Sequence, residues 1–215
     1  LPVCESILAQ WVAKQSGAEL PEGIPGLLTG GYSIQESKFA LNKSVVPWGS
    51  RCSYYIAIHD SHLFVLEAQN QEAEDQNNLG RDPRDRISGE AKILDKLPTA
   101  LDNDSLLYLG ALVRSIQIGG ASAAALDLAV KYASDREQFG RSLAKFQAIQ
   151  HHLADLAGLV ASVDAIAIAA CARLERSGIT GNQGSARFEI AAAKCRASEA
   201  VEKITRLSHQ IHGAI

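Results

Sequence analysis

Within the stretch YASDREQFGRSLAKFQ, residues 132–147, an arginine sits between two acids, one phenylalanine precedes a glycine, and a second precedes a glutamine. Each residue type has a chemical use. A guanidinium grips a phosphate through two parallel hydrogen bonds. Phe139 offers an apolar face to a ring, and Gly140 lets the backbone turn tightly. Gln147 can both donate to and accept from a polar ring edge. Taken alone, Asp135-Arg136-Glu137 reads as a solvated charge cluster, because exposed ion pairs contribute little. The flanks shift that reading, since Lys131, Arg141 and Lys145 concentrate positive charge beside Arg136. The segment then reads as a cationic, aromatic, amide-bearing hinge suited to a phosphate-bearing aromatic ligand.

Other polar residues suggest less. His151 and His152 are adjacent on a helical pattern, so they point in different directions and suit a solvated surface. His209 and His212 are three apart and share a face, yet no cysteine or carboxylate nearby in sequence completes a metal set, and no metal is expected. His59 and His62 flank a turn and read as structural. The sequence has no G-x-S-x-G elbow, no G-x-G-x-x-G and no P-loop. Cys4, Cys52, Cys171 and Cys195 are too far apart for metal-ligand spacing. Cys171 and Cys195 fall on apolar helical patterns, so all four read as reduced thiols of a cytoplasmic protein.

The elements that must position the hinge follow from composition. The chain has 215 residues with 47% hydrophobic and 21% charged residues, which suits a globular domain that buries a large core. A net charge of −3 gives no reason to expect nucleic acid or an anionic membrane as a partner. The apolar runs read as too interrupted to span a bilayer. All six prolines precede residue 100, and alanine and leucine dominate after it. That shift predicts two regions. In the first, residues 5–15 pattern as a short helix stopped by Gly17. LLTGGYSI, FALNKSVVPW, CSYYIAIHD, HLFVLEA and ISGEAKILDKL pattern as strands, HDSH as a hairpin turn, and NQEAEDQNNLGRDPRD as a polar loop.

The second region patterns as three long helices, at residues 105–134, from 143 to about 176, and from about 185 to 212. Gly119 and Gly120 in the first cost about 1 kcal/mol each relative to alanine, which suggests close packing or a ligand. The second carries a seam at Phe146, Ile149, Leu153, Leu156, Val160, Val163, Ala167, Ala170 and Leu174. In the third, Phe188, Ala192, Cys195, Val201, Ile204, Leu207 and Ile211 read as the inward face, with Gly213 as the stop. The fold class expected is mostly α: an antiparallel helix bundle with a small antiparallel β region in the N-terminal half. The chain contains no methionine and stops at QIHGAI without a polar tail, so it reads as a segment of a longer polypeptide.

YASDREQFGRSLAKFQAIQHHLADLA resembles the signature of the acyl-CoA dehydrogenase family, with its tyrosine-alanine, R-x-x-F-G, F-Q and L-A-D elements. QIHGA resembles the family's Q-x-x-G-G segment, and GALVRSIQIGGASAAALDLAVKYA resembles its preceding helix. NLGRDPRD and VVPWGS resemble the middle region of its shorter members. The resemblance implies the end of an N-terminal helical domain at 1–20, a reduced β middle domain at 21–100 and a C-terminal helix bundle at 101–215. It implies FAD as cofactor and α,β-dehydrogenation of an acyl-CoA, with a glutamate taking the α-proton and flavin N5 accepting the β-hydride. It also implies that Arg136, Gln138 and Phe139 hold the diphosphate and adenosine part of FAD in a neighbouring subunit. Gln147, Gln210 and Gly213 are carried over as cofactor-binding residues in the same way.

Departures accompany the resemblance. Ala214 replaces the second glycine of Q-x-x-G-G, and a T-E-P-like flavin-contacting turn is not found. The position where some members place the base on the first bundle helix is Gly110, so the catalytic residue stays unassigned. Three readings follow: a dehydrogenase complete in its full-length form, a non-catalytic half-site subunit that completes the FAD site of a partner, and a structural helical module without ligand. The first two imply a homo- or hetero-oligomer with a family subunit. Heteromeric members act on bulky acyl-CoA thioesters such as steroid side chains.

Overall fold

The computed structural model describes residues 2–35, 38–69, 71–180 and 184–213. The chain divides into two compact units, 1–109 and 110–215. In the first, α1 (Val3–Ser16) ends at Gly17, whose φ of 68° closes the helix, and it packs on β1 (Pro25–Leu28) through a face that buries Leu8, Ala9, Val12 and Ala13. Seven more strands follow: β2 (Tyr32–Gln35), β3 (Lys38–Pro47), β4 (Tyr54–His59), β5 (His62–Glu67), β6 (Glu72–Glu74), β7 (Arg84–Ala91) and β8 (Ile93–Pro98). They form two four-stranded sheets, ordered β1-β4-β5-β8 and β2-β3-β7-β6. Phe39, Leu41, Val46 and Ile87 from the second sheet meet Leu28, Tyr55, Phe64 and Leu66 from the first in one core. β4 and β5 are buried on both faces, which explains their unbroken apolar runs.

Three sequence expectations change here. LLTGGYSI is two strands in different sheets, split where Gly31 takes a φ of 74°. ISGEAKILDKL likewise divides between β7 and β8, and the polar NQEAEDQNNLGRDPRD contributes β6. β1 runs parallel to β4, while the other ladders are antiparallel. The HDSH hairpin forms as expected, with Asp60 and Ser61 both at positive φ between β4 and β5.

The second unit holds most of α2 (Ser105–Asp135), with α3 (Gln147–Ser177) and α4 (Arg187–Ile211). Asp155 pairs with Lys203 at 3.2 Å, and Ser162 Oγ accepts bonds from Nε and Nη2 of Arg196 at 2.9 and 2.8 Å. Arg173 faces Glu189 at 3.5 Å. Numbers rise on α3 as they fall on α4, so the two helices are antiparallel. Leu156, Val160, Val163, Ala167 and Ala170 are buried on α3, as the seam predicts. Ala129 and Ala133 of α2 join the α3 and α4 residues in one cluster.

The inward face of α4 matches the expected one at Ile204, Leu207 and Ile211 and differs at the earlier positions, Val201 among them being exposed. Ile190, Ala193, Ala197, Ala200, Ile204, Leu207 and Ile211 are buried, while Phe188 is 79% exposed, Cys195 is exposed and Ala192 is half-buried. Cys171 is exposed on α3 as well. Gly119 is buried, and a Cβ there would lie 2.7 Å from Asp164 Oδ1, so its side-chain vacancy lets α3 approach; Gly120 faces open space. By length and composition alone, α2 and α3 are apolar enough to cross a membrane. The expectation of interrupted runs does not hold for these two helices.

Candidate functional site

The hinge folds as a short antiparallel hairpin between α2 and α3. β9 (Glu137–Gln138) pairs with β10 (Arg141–Ser142), and the Leu143 N–H donates to the Arg136 carbonyl at 2.9 Å. Only Phe139 and Gly140 lie between the paired Gln138 and Arg141. Their φ values are 55° and 75°, the pattern of a type I′ turn. Glycine or asparagine normally fills such positions. A phenylalanine there costs about 1–2 kcal/mol in backbone strain. Phe139 recovers little of that by burial, being 92% exposed. Its ring meets Phe146 in a T-shaped arrangement, with centroids 6.4 Å apart at 76°.

Around this tip the functional groups are presented outward. Arg136, Gln138, Arg141 and Gln147 are all exposed. Gln138 Nε2 donates to the Glu137 carbonyl at 2.9 Å. The Arg141 guanidinium lies 4.1 Å from the Phe146 ring centroid. Phe146 caps the start of α3, and Gln147 is its first residue, so positive helix-end dipole adds to the cationic surface.

Gln210 and Gly213 sit at the last turn of α4. They line a cavity of ≈ 760 Å³ with Val201, Glu202, Thr205, Arg206 and His209. Gly213 takes a φ of 74° and its N–H bonds the Gln210 carbonyl, as the expected helix stop requires. The ring of His212 stacks on Tyr132, centroids 4.7 Å apart, and its Nδ1 donates to the Ser208 carbonyl at 2.7 Å. Tyr132 lies one turn before the hairpin, so this contact brings the ends of α2 and α4 together. The cofactor candidates therefore form two groups at one end of the bundle: Arg136, Gln138, Phe139 and Gln147 on the hairpin side, Gln210 and Gly213 on the α4 side. Ala214 lies outside the described residues.

Sequence reasoning missed the groove of ≈ 570 Å³ between α2 and α4, lined by Arg114, Gln117, Ser122, Lys194 and Thr205 among others. Its polar residues look like any solvated helix face, so the sequence held no signal for it. Gly110 has open space around its missing Cβ and contributes no carboxylate. Among the described residues, no group of three or more histidine, cysteine or acidic side chains converges as a metal site.

A model of the acyl-CoA dehydrogenase C-terminal domain matches residues 104–215. The chain belongs to the acyl-CoA dehydrogenase family. A probable acyl-CoA dehydrogenase of Mycobacterium leprae, fadE25, is 38% identical over 133 residues, which is 62% of this chain and 32% of the relative. The acyl-CoA dehydrogenase IpdE2 of Mycolicibacterium smegmatis is 39% identical over 114 residues, 53% of this chain and 33% of the relative. The chain thus spans about a third of the length of these curated relatives. The ChsE4–ChsE5 complex of Mycobacterium tuberculosis superposes with a TM-score of 0.77 at 20% identity, over 99% of this chain and 65% of that one. Butyryl-CoA dehydrogenase of Megasphaera elsdenii gives 0.67 at 20% identity, over 89% and 58%. At these identities the structural likeness is one of fold, and it agrees with the mostly α architecture expected for the family.

Proposed function

We propose that this chain is a subunit of an FAD-dependent acyl-CoA dehydrogenase and holds the diphosphate end of the cofactor across a subunit interface. One observation carries the reading: the hairpin keeps Phe139 at a strained φ and almost wholly exposed, beside an outward arginine. Such strain is retained where a ligand repays it. The residues present fit the group. Arg136 makes no hydrogen bond or ion pair through its guanidinium among the described residues and can offer its fork to a phosphate, exposed Phe139 offers a ring face for the adenosine part, and Gln147 an amide at the positive start of α3. Gln210 and Gly213 border a cavity large enough for a flavin ring. FAD, when bound, supplies the acceptor for the two electrons that leave the acyl-CoA.

Taking the α-proton requires a carboxylate within hydrogen-bond reach of the substrate. Gly110 presents none, and the space beside it is open. We therefore assign this chain the cofactor-holding part, with the base supplied elsewhere in the assembly. On this reading, residues 1–20 end an N-terminal helical domain, 21–100 form a reduced middle domain and 101–215 the bundle. Exposed Leu128, Val130, Ile168 and Phe188 provide apolar surface for a homo- or heteromeric partner. The heteromeric ChsE4–ChsE5 complex supports that assembly.

The test is the absorbance spectrum of the purified full-length oligomer, followed by anaerobic mixing with short, medium and sterol-derived acyl-CoAs. A flavin spectrum that bleaches only when a partner subunit is present supports the proposal. Colourless protein that takes up no FAD contradicts it. Stoichiometric bleaching by residues 1–215 alone, loaded with FAD, contradicts the assignment of the base.

A further inference from the structure

The hairpin carries a second arginine, Arg141, on β10. In an antiparallel pair, directly opposed side chains lie on the same face and successive ones alternate. Gln138 opposes Arg141, and Glu137 opposes Ser142. Continuing the register one step, Arg136 opposes Leu143, whose N–H it binds. Arg136, Gln138 and Arg141 therefore share one face, and Glu137 lies on the other. The acid that follows Arg136 in sequence does not neutralise the face that carries the two guanidinium groups.

Arg141 is also held. Its guanidinium lies 4.1 Å from the Phe146 centroid, and Phe146 meets Phe139 edge-on. Stacking engages the flat face of a guanidinium and leaves its N–H donors in plane and available. Among the described residues no hydrogen bond or ion pair uses those donors of Arg141. A long side chain already ordered by a ring loses less freedom when it binds a ligand.

We infer that Arg141 is a second phosphate-binding residue of the hairpin, so that Arg136 and Arg141 take the two phosphoryl groups of one adenosine diphosphate unit. The inference rests on the flavin reading above and extends it from one fork to a pair. A diphosphate presents two neighbouring anionic groups, and a bidentate guanidinium satisfies one of them. Two guanidinium groups on one face, with an exposed aromatic ring at the tip, match a nucleoside diphosphate better than a monophosphate. Adenosine diphosphate chemistry is common to FAD and coenzyme A. Shared placement with Arg136 assigns it to FAD.

The experiment uses the flavin-free full-length oligomer, with ADP, adenosine, FAD and coenzyme A titrated separately into wild type, Arg141→Ala, Arg141→Lys and Arg136→Ala. Arg141→Ala should weaken ADP and FAD by about tenfold or more and leave adenosine and coenzyme A unchanged. Arg141→Lys should recover little, because an ammonium neither stacks flat nor forks. Unchanged ADP and FAD affinity in Arg141→Ala, with clear loss in Arg136→Ala, overturns this inference alone and leaves Arg141 as a brace on Phe146. Equal loss for ADP and adenosine also overturns it, since a distorted hairpin would act that way. A loss confined to coenzyme A overturns the assignment to FAD. No loss in either alanine variant overturns the flavin reading together with the inference built on it.

Discussion

The rings of Tyr132 and His212 stack at 4.7 Å with planes 34° apart, tying the end of α2 to the end of α4. This contact sets the hairpin beside the cavity at Gln210 and Gly213. Removing it with Tyr132→Leu should destabilise the protein by about 0.5–1.5 kcal/mol, the value of an aromatic pair. Tyr132→Phe keeps the ring and should be neutral. Thermal unfolding of the two variants checks this, and an equal drop in both would mean that the hydroxyl rather than the stack matters.

Phe139 and Gly140 predict opposite outcomes for stability and ligand binding. Phe139→Asn places a residue that tolerates positive φ in the turn and should stabilise the fold or leave it unchanged, while weakening FAD. Gly140→Ala should destabilise by about 1 kcal/mol, because its φ of 75° disfavours a Cβ. Chemical denaturation and flavin titration measured on the same samples separate the two effects. A Phe139→Asn variant that is both less stable and equally good at binding FAD would contradict the reading of strain held for a ligand.

How much of this was legible in sequence differed by region. The bounds of α2, the end of α3 and its buried seam followed from spacing because leucine and valine contrast with their polar neighbours, whereas α3 starts at Gln147 rather than 143, because Leu143–Lys145 form a separate 3-10 turn and Phe146 is extended. On α4 the inward positions are Ile190, Ala193, Ala197 and Ala200, at alternating spacings of three and four. Alanine gives little hydrophobic contrast, so Phe188 and Cys195 drew the expected face a quarter-turn or more away. In the sheets, β7 and β8 are separated by one residue, Lys92, and a change of sheet there leaves no mark in composition. The hinge was recognisable from Phe139-Gly140, but its pairing as a hairpin was not, and the shared face of Arg136 and Arg141 depends on a register that only the paired strands define.

The paired glycines of α2 should respond differently to alanine. Gly120 faces open space, so Gly120→Ala should stabilise by about 0.8–1.0 kcal/mol through helix propensity. Gly119→Ala should gain less or lose, because its Cβ would lie 2.7 Å from Asp164 Oδ1 and force that carboxylate aside. Denaturation midpoints of the two variants test the contrast, and an equal gain would mean that Asp164 moves at no cost.

Alkaline pH should weaken the first unit in a defined window. Burial, with the charges of Asp85 and Glu5, pushes the Cys52 thiol up from 9.0 to about 12. Burial likewise raises the Tyr55 hydroxyl above its ordinary value of 10.0. The folded state thus keeps protons that the unfolded chain releases. The thiol's contribution is complete below pH 9 and is lost as pH rises from 9 toward 12, at about 1.4 kcal/mol per pH unit, and the hydroxyl's begins to be lost only above pH 10. Stability followed by denaturant titration should fall over that window, and Cys52→Ala should fall less steeply. A slope unchanged by Cys52→Ala would show that the thiol does not hold its proton.

The most direct test of the central claim is a titration of FAD into the flavin-free full-length oligomer, comparing wild type with Arg136→Ala and Arg136→Lys. Loss of a charge-assisted fork should weaken binding by about 1.5–3 kcal/mol in Arg136→Ala, and Arg136→Lys should fail to restore it. FAD affinity equal to wild type in both variants would contradict a phosphate-gripping role for this hairpin.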